Sequence, residues 1–156
     1  MRFIYGFAKT VLSKNLKPQI SNLKPNTDNM ESANNIYEIA SDFAIRIVKL
    51  YKYLTEQKKE FVMSKQLFRS GTSIGANAFE GKNAYSRDDF AFKMSIALKE
   101  AGESGFWIDL LHRTDYLTDE EYHSLYDDWN RVYAVLIKIV KATKPQIFKI
   151  KEENNN

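Results

Sequence analysis

Cysteine is absent from the 156 residues, so disulfides, thiolate metal sites and cysteine nucleophiles are all excluded. A chain without cysteine is at home in a reducing cytoplasm. Only three prolines and six glycines occur, too few for a chain built from turns and short strands. No apolar run approaches the roughly 18 residues that a bilayer span requires. The opening stretch, Met1 to Lys9, makes a poor signal peptide, because Gly6 and Lys9 interrupt its short apolar region. No Gly-rich phosphate loop, nucleophile elbow or zinc-protease motif is present, and the expectation is a non-enzymatic protein without a cofactor.

What is present is a long helical pattern with one folded unit's worth of apolar residues. Residues 1–35 show no sustained period and contain Pro18 and Pro25, so they read as a flexible extension, with Met30 as an alternative start. From Ile36 a 3.5-residue seam begins: Ile36, Ala40, Phe43, Ile47, Leu50 and Leu54. A second helix is expected from Glu60 to Glu80 along Met63, Leu67, Ser70, Ile74 and Ala78, with Gly81 as its C′ residue. Ser86 and Asp89 resemble a capping box, opening a third helix along Phe90, Met94, Ala97, Ala101, Ser104, Ile108 and Leu111. Thr118 and Glu121 form a second box, and the fourth helix follows along Tyr122, Leu125, Trp129, Val132, Leu136, Ile139 and Thr143. Pro145 stops it, leaving residues 145–156 as a disordered tail. The expected fold is all-α, an antiparallel up-down-up-down four-helix bundle over residues 36–144.

The segment from Arg69 to Gly81 is unusual for a helix interior. Gly71 and Gly75 each cost roughly 1 kcal/mol there relative to alanine, which implies that another backbone or side chain approaches closely. Ser73, Asn77 and Glu80 are spaced by four and three and so share a face. A polar line of this kind either fixes register through hydrogen bonds or forms a site. With no histidine or second carboxylate nearby, the structural role is favoured. Arg69 lies eleven residues before Glu80, too far to pair within one helix, so at least one of the two should bond across helices.

The order Arg69, Ser73, Ile74, Asn77, Glu80 and Gly81, followed by Ser86 and an aromatic near Phe90, resembles a family of four-helix bundles. Its members are encoded in intervening sequences of bacterial large-subunit ribosomal RNA genes. They are related to the accessory variability determinant of diversity-generating retroelements. Ala78-Phe79 and the stretch from Lys99 to Ser104 depart from the common pattern. The resemblance implies a homo-oligomer, a pentamer, acting as a scaffold or interaction module without known catalysis. For the retroelement branch it implies an RNA-binding accessory protein that partners a reverse transcriptase.

Two further surfaces stand out. On the third helix Phe92, Ile96, Phe106 and Trp107 lie off the seam, and Gly102 and Gly105 continue its small residues. That apolar band is wider than one bundle core needs and is a candidate oligomer interface. The net charge of +3 is carried by the leader, which holds five basic residues against one acid. Beyond it, residues 46–99 carry eleven basic and five acidic side chains, whereas 100–128 carry nine acidic and one basic. Lys82, Arg87, Lys138, Lys141 and Lys144 would gather at one end of the bundle, as a phosphate contact or as a solvated end that complements the last helix dipole. Asp109 with His112, and Glu120 with His123, are the spacings closest to metal chemistry, but both fall just off the seams, and no metal site is expected.

Overall fold

The computed structural model describes residues 28–144, with side chains from Ile36 onward. Four helices account for nearly all of this span: α1 (Asp28–Glu56), α2 (Met63–Lys82), α3 (Arg87–Arg113) and α4 (Asp119–Thr143). No strand occurs among the described residues, and none of these helices is long and apolar enough to cross a membrane. The main helix contacts join α1 to α2, α2 to α3, α3 to α4, and α4 back to α1. The chain is therefore an all-α four-helix bundle.

Most seam residues are buried where the 3.5-residue pattern places them, while Met63, Phe90, Tyr122, Trp129 and Thr143 are half-buried at the edge. Ile36, Ala40, Phe43, Ile47, Leu50 and Leu54 of α1 are buried against Leu67, Ile74 and Ala78 of α2. Met94, Ala97, Ala101, Ile108 and Leu111 of α3, with Leu125, Val132, Leu136 and Ile139 of α4, complete the core. Burial of each Leu, Ile, Val, Phe or Met side chain among them contributes on the order of 2 kcal/mol.

Three boundaries differ from expectation. The first helix begins at Asp28, so residues 28–35 belong to α1 and not to a flexible extension, and Met30 lies inside the helix. The remainder of the expected extension, and the expected tail at 145–156, lie outside the described residues. The second helix starts at Met63 instead of Glu60. Glu60 precedes it as a capping acceptor, its buried carboxylate receiving the backbone N–H groups of Val62 at 2.9 Å, Met63 at 2.8 Å and Ser64 at 2.6 Å. These are donors that the first turn of a helix leaves without partners. Burial alone would raise the Glu60 pKa, but the N–H bonds outweigh it and hold the carboxyl below its usual value. Finally, Gly81 is not a C′ residue. It lies within α2, whose cap is Asn83, and no described glycine has a positive φ.

The end of α3 shows what a left-handed cap looks like here. Asp115 adopts φ 63°, Asp115 N–H donates to the His112 carbonyl at 3.0 Å, and Tyr116 N–H to that of Leu111 at 2.9 Å. This is a Schellman motif with aspartate in the place usually held by glycine. Thr118 and Glu121 form the reciprocal box expected at the start of α4. At α3 the box is half made: Ser86 Oγ accepts from Asp89 N–H at 3.1 Å, while the Asp89 carboxylate takes the N–H of Tyr85 at 3.2 Å.

Contacts across each successive pair run in opposite order along the two helices. Between α1 and α2, Tyr51 meets Phe68 and Lys82 Nζ lies over the Tyr37 ring. Between α2 and α3, Arg69 faces Glu103 and Glu80 faces Lys93. Between α3 and α4, His112 stacks on Tyr122 and Lys144 Nζ lies over Phe92. These contacts are consistent with antiparallel neighbours. Arg46 ties α1 to α4, donating to the Ser124 carbonyl at 2.9 Å, to Ser124 Oγ at 3.1 Å and to the Asp128 carboxylate.

Candidate interaction surface

The Arg69–Gly81 segment divides between two neighbours. Gly71 packs on α1, where an added Cβ would lie 2.8 Å from Ile47 Cγ1. Gly75 is looser, with Ala40 and Ala44 at ordinary contact distance. Gly81 turns to α3, and a Cβ there would meet Met94 Cε at 2.4 Å. Close approach therefore explains Gly71 and Gly81, the former against a stiff β-branched side chain and the latter against a flexible one.

The polar line does less than its spacing suggests. Ser73 and Asn77 are half-buried, and Asn77 Nδ2 donates at 2.9 Å to the Ser73 carbonyl of its own helix. Ile74, between them, is fully buried in the core. Glu80 meets Lys93 Nζ at 2.5 Å, and Arg69 lies 3.8 Å from Glu103, so both ends of the motif bond across to α3. The Glu80 hydrogen bond is the largest influence on Lys93 and raises its pKa. The buried cross-helix hydrogen bond is a different one: Ser104 Oγ to Ser70 Oγ at 3.0 Å, between two seam residues. The register contact thus lies on the seam and the motif's charges lie at its edge.

The candidate interface on α3 also divides. Trp107 donates to Glu103, the partner of Arg69, and belongs to the α2 side. Ile96 is half-buried, and Phe92 stands 54% exposed beneath Lys144. Gly102, Gly105 and Phe106 come together with Asp109 of α3 and with Tyr122, Tyr126, Trp129 and Tyr133 of α4. These eight residues line an open groove of about 380 Å³ between the two helices.

The wall of this groove is a continuous strip of rings. Tyr122 and Tyr126 have centroids 5.4 Å apart, Tyr126 and Trp129 4.8 Å, and Trp129 and Tyr133 stack at 5.0 Å. His112 extends it, stacked on Tyr122 at 4.1 Å. Contacts in this range favour an ordered strip. Trp129 is pinned, with Nε1–H donating to the Ala101 carbonyl at 2.7 Å. Its indole lies over Gly105, where a Cβ would meet the ring at 2.5 Å. Gly102 is the opposite case, with nothing within 4 Å of the position a Cβ would take. Burial first, then the nearby Asp109 carboxylate, raises the Tyr122 pKa.

Tyr122 and Trp129 were expected on the core seam, and both are half-buried at its edge instead. Tyr126 and Tyr133 were not anticipated as part of any surface. The signal was present as aromatics at 122, 126, 129 and 133, a helical i, i+4, i+7, i+11 row.

On the opposite side of the bundle, α1 and α2 border a smaller depression of about 230 Å³ lined by Tyr37, Ser41, Ala44, Thr72, Gly75, Ala76 and Phe79. Phe79 stands 64% exposed beside it.

The basic end is mixed. Lys82, Arg87, Lys138 and Lys141 are exposed and Lys144 is half-buried. Asp88 and Asp89 open α3 at that same end, and Lys82 and Lys144 each lie 5.5 Å from an aromatic ring. The histidines meet at one aspartate: His112 Nε2 lies 2.7 Å from Asp119 Oδ1, and His123 Nδ1 lies 2.7 Å from the Asp119 carbonyl oxygen. Among the described residues no group of three or more histidines and carboxylates is placed to hold a metal ion.

The model of the 23S rRNA-intervening sequence protein family matches residues 32–138. Among solved structures, a protein of unknown function from the S23 ribosomal protein family of Bacteroides thetaiotaomicron VPI-5482, determined at 1.70 Å resolution, is 51% identical. The match has a TM-score of 0.69 and covers 70% of this chain and 98% of that one. Comparison with curated proteins gives no match.

Proposed function

The chain belongs to the 23S rRNA-intervening sequence protein family, and we propose that it is a non-enzymatic, up-down-up-down interaction module that assembles with copies of itself. The observation that carries this reading is the groove between α3 and α4. Five aromatic side chains border it, Phe106 is 59% exposed and Tyr126 36%, and its floor at Gly102 is open. Partly exposed tyrosine, tryptophan and phenylalanine rings gathered on one face are the composition enriched at protein interfaces. Tyrosine and tryptophan are also the residues that dominate the energetics of protein interfaces. A homo-oligomer, five subunits by the family resemblance, would cover the patch.

RNA binding has less support. The basic end shares its surface with Asp88 and Asp89, and the aromatic groove carries Asp109 on its wall, which would repel phosphate.

Sedimentation velocity over a wide concentration range tests the reading. The wild-type protein is expected to associate, and Phe106→Asp, at an exposed position, should keep its helicity while weakening association about 30-fold or more, the effect of a single interface hot spot. A wild type that stays monomeric at every concentration would remove the proposal.

A further inference from the structure

Three lysines of this bundle lie over aromatic rings. Lys58 Nζ is 5.9 Å from the Tyr53 centroid, Lys82 Nζ 5.5 Å from that of Tyr37, and Lys144 Nζ 5.5 Å from that of Phe92. The negative face of a ring attracts cations at this range. Tyr122, Tyr126, Trp129 and Tyr133 gather four rings in one strip, yet no lysine or arginine is among the described residues that line their groove. Asp109 is the one charged residue of that lining, and it is half-buried. After burial, its carboxylate is the next cause of the raised Tyr122 pKa, so it acts on the rings themselves. Asp109 already holds one guanidinium loosely: Arg113 Nη1 lies 3.5 Å from its Oδ2, one helical turn on, with the Arg113 side chain largely exposed. Exposed pairs of this spacing contribute little, so the carboxylate is free to exchange its partner.

A weakly paired acid beside a strip of rings selects a cation, and the shape of the groove selects among cations. Trp129 and Tyr133 lie within 16° of parallel, and the space before them is an open slot. A planar guanidinium stacks on such a surface while its in-plane N–H groups reach a carboxylate, which the compact ammonium of lysine does less well. We infer that the α3/α4 groove receives an arginine side chain from a basic segment of a partner protein, stacked on the rings and bonded to Asp109. Residues 100–128, with nine acids and one base, draw such a segment toward this part of the bundle and repel an acidic one. This rests on the reading of the groove as a contact surface and adds the chemistry of what enters it. A basic segment bound there competes with a neighbouring copy for the same site.

Titration with a short peptide carrying a central arginine tests this, beside the same peptide with citrulline, which keeps the shape and loses the charge. Trp129 fluorescence reports binding in a Trp107→Phe background, which leaves one tryptophan. The arginine peptide should saturate the signal and bind at least about tenfold more tightly than its citrulline twin, the effect of one charge-assisted hydrogen bond. Asp109→Asn should abolish that preference. Arg113→Gln removes the resident competitor and should tighten binding, which a merely structural Arg113 would not do. Both replaced side chains are at least half exposed, so helicity by circular dichroism should be unchanged. Where the wild type is assembled, the arginine peptide should also lower its sedimentation coefficient. Equal binding of the two peptides would make the occupant apolar and overturn the inference. Binding of neither overturns it too, as does a preference that survives Asp109→Asn or an Arg113→Gln protein that binds no more tightly. A wild type that is monomeric at every concentration removes the self-assembly reading alone, because the arginine preference is read on the monomer as well.

Discussion

Gly71 of α2 and Gly102 of α3 look alike in the sequence and do opposite work. Gly71 lies under Ile47 of α1, whose branched side chain leaves no room for a Cβ, and Gly81 lies under the flexible end of Met94 of α3. Gly102 faces open space, and Gly105, three residues on, lies beneath the indole that walls the same opening. On α2 the missing side chain closes a seam. At Gly102 it leaves a groove. A small residue on a helix therefore indicates close approach only when something is there to approach.

Alanine at these positions sharpens the contrast. The largest losses are expected at Gly105 and Gly71. Overpacking costs about 1–3 kcal/mol, offset by the roughly 1 kcal/mol gained in helix propensity, so each should lose up to about 2 kcal/mol in denaturant unfolding. Gly105→Ala should also change tryptophan fluorescence, because it displaces Trp129 and strains its bond to the Ala101 carbonyl. An unchanged spectrum would show that the indole is not held over the glycine.

The closed half also depends on how α2 starts. Glu60→Gln should cost about 1 kcal/mol at neutral pH, the usual contribution of a helix cap. The folded carboxyl is depressed, so its stabilisation is complete above the ordinary carboxylate value near ~4.3 and is lost as pH falls through the folded pKa. The gap between wild type and Glu60→Gln should therefore close in acid. A gap independent of pH would mean that charge on Glu60 is not what holds the turn.

A smaller effect is expected from the motif's own charges. Glu80→Gln removes the Lys93 ion pair, but Glu80 is exposed. The melting temperature should move by no more than about 4 °C, as for other surface pairs. A large drop would mean that the edge of the α2/α3 seam matters more than its buried Ser70–Ser104 bond.

Much of the bundle was legible from its apolar period, because core burial repeats every 3.5 residues and few side chains break it. What escaped has specific physical causes. Residues 28–35 contain only Met30 and Ala33 as apolar residues, so no stripe marked them as helix. Gly81 matched the usual glycine stop, yet it lies inside α2 with the flexible end of Met94 over it. The charged ends of the family motif do reach across helices, as the eleven-residue spacing required, but they do so at the surface. The aromatic strip was hidden by its own spacing. Tyr122 and Trp129 follow the core period, and periodicity cannot distinguish a ring buried in the core from one half-buried at a groove.

The most direct test of the central claim, that the glycine-floored groove of α3 and α4 is a contact surface, is sedimentation velocity of Gly102→Trp beside Gly102→Ala. The open space at Gly102 predicts that alanine raises stability by up to about 1 kcal/mol and preserves assembly. Tryptophan should leave the protein folded and sedimenting as a monomer. A folded Gly102→Trp protein that sediments like the wild type would contradict the claim.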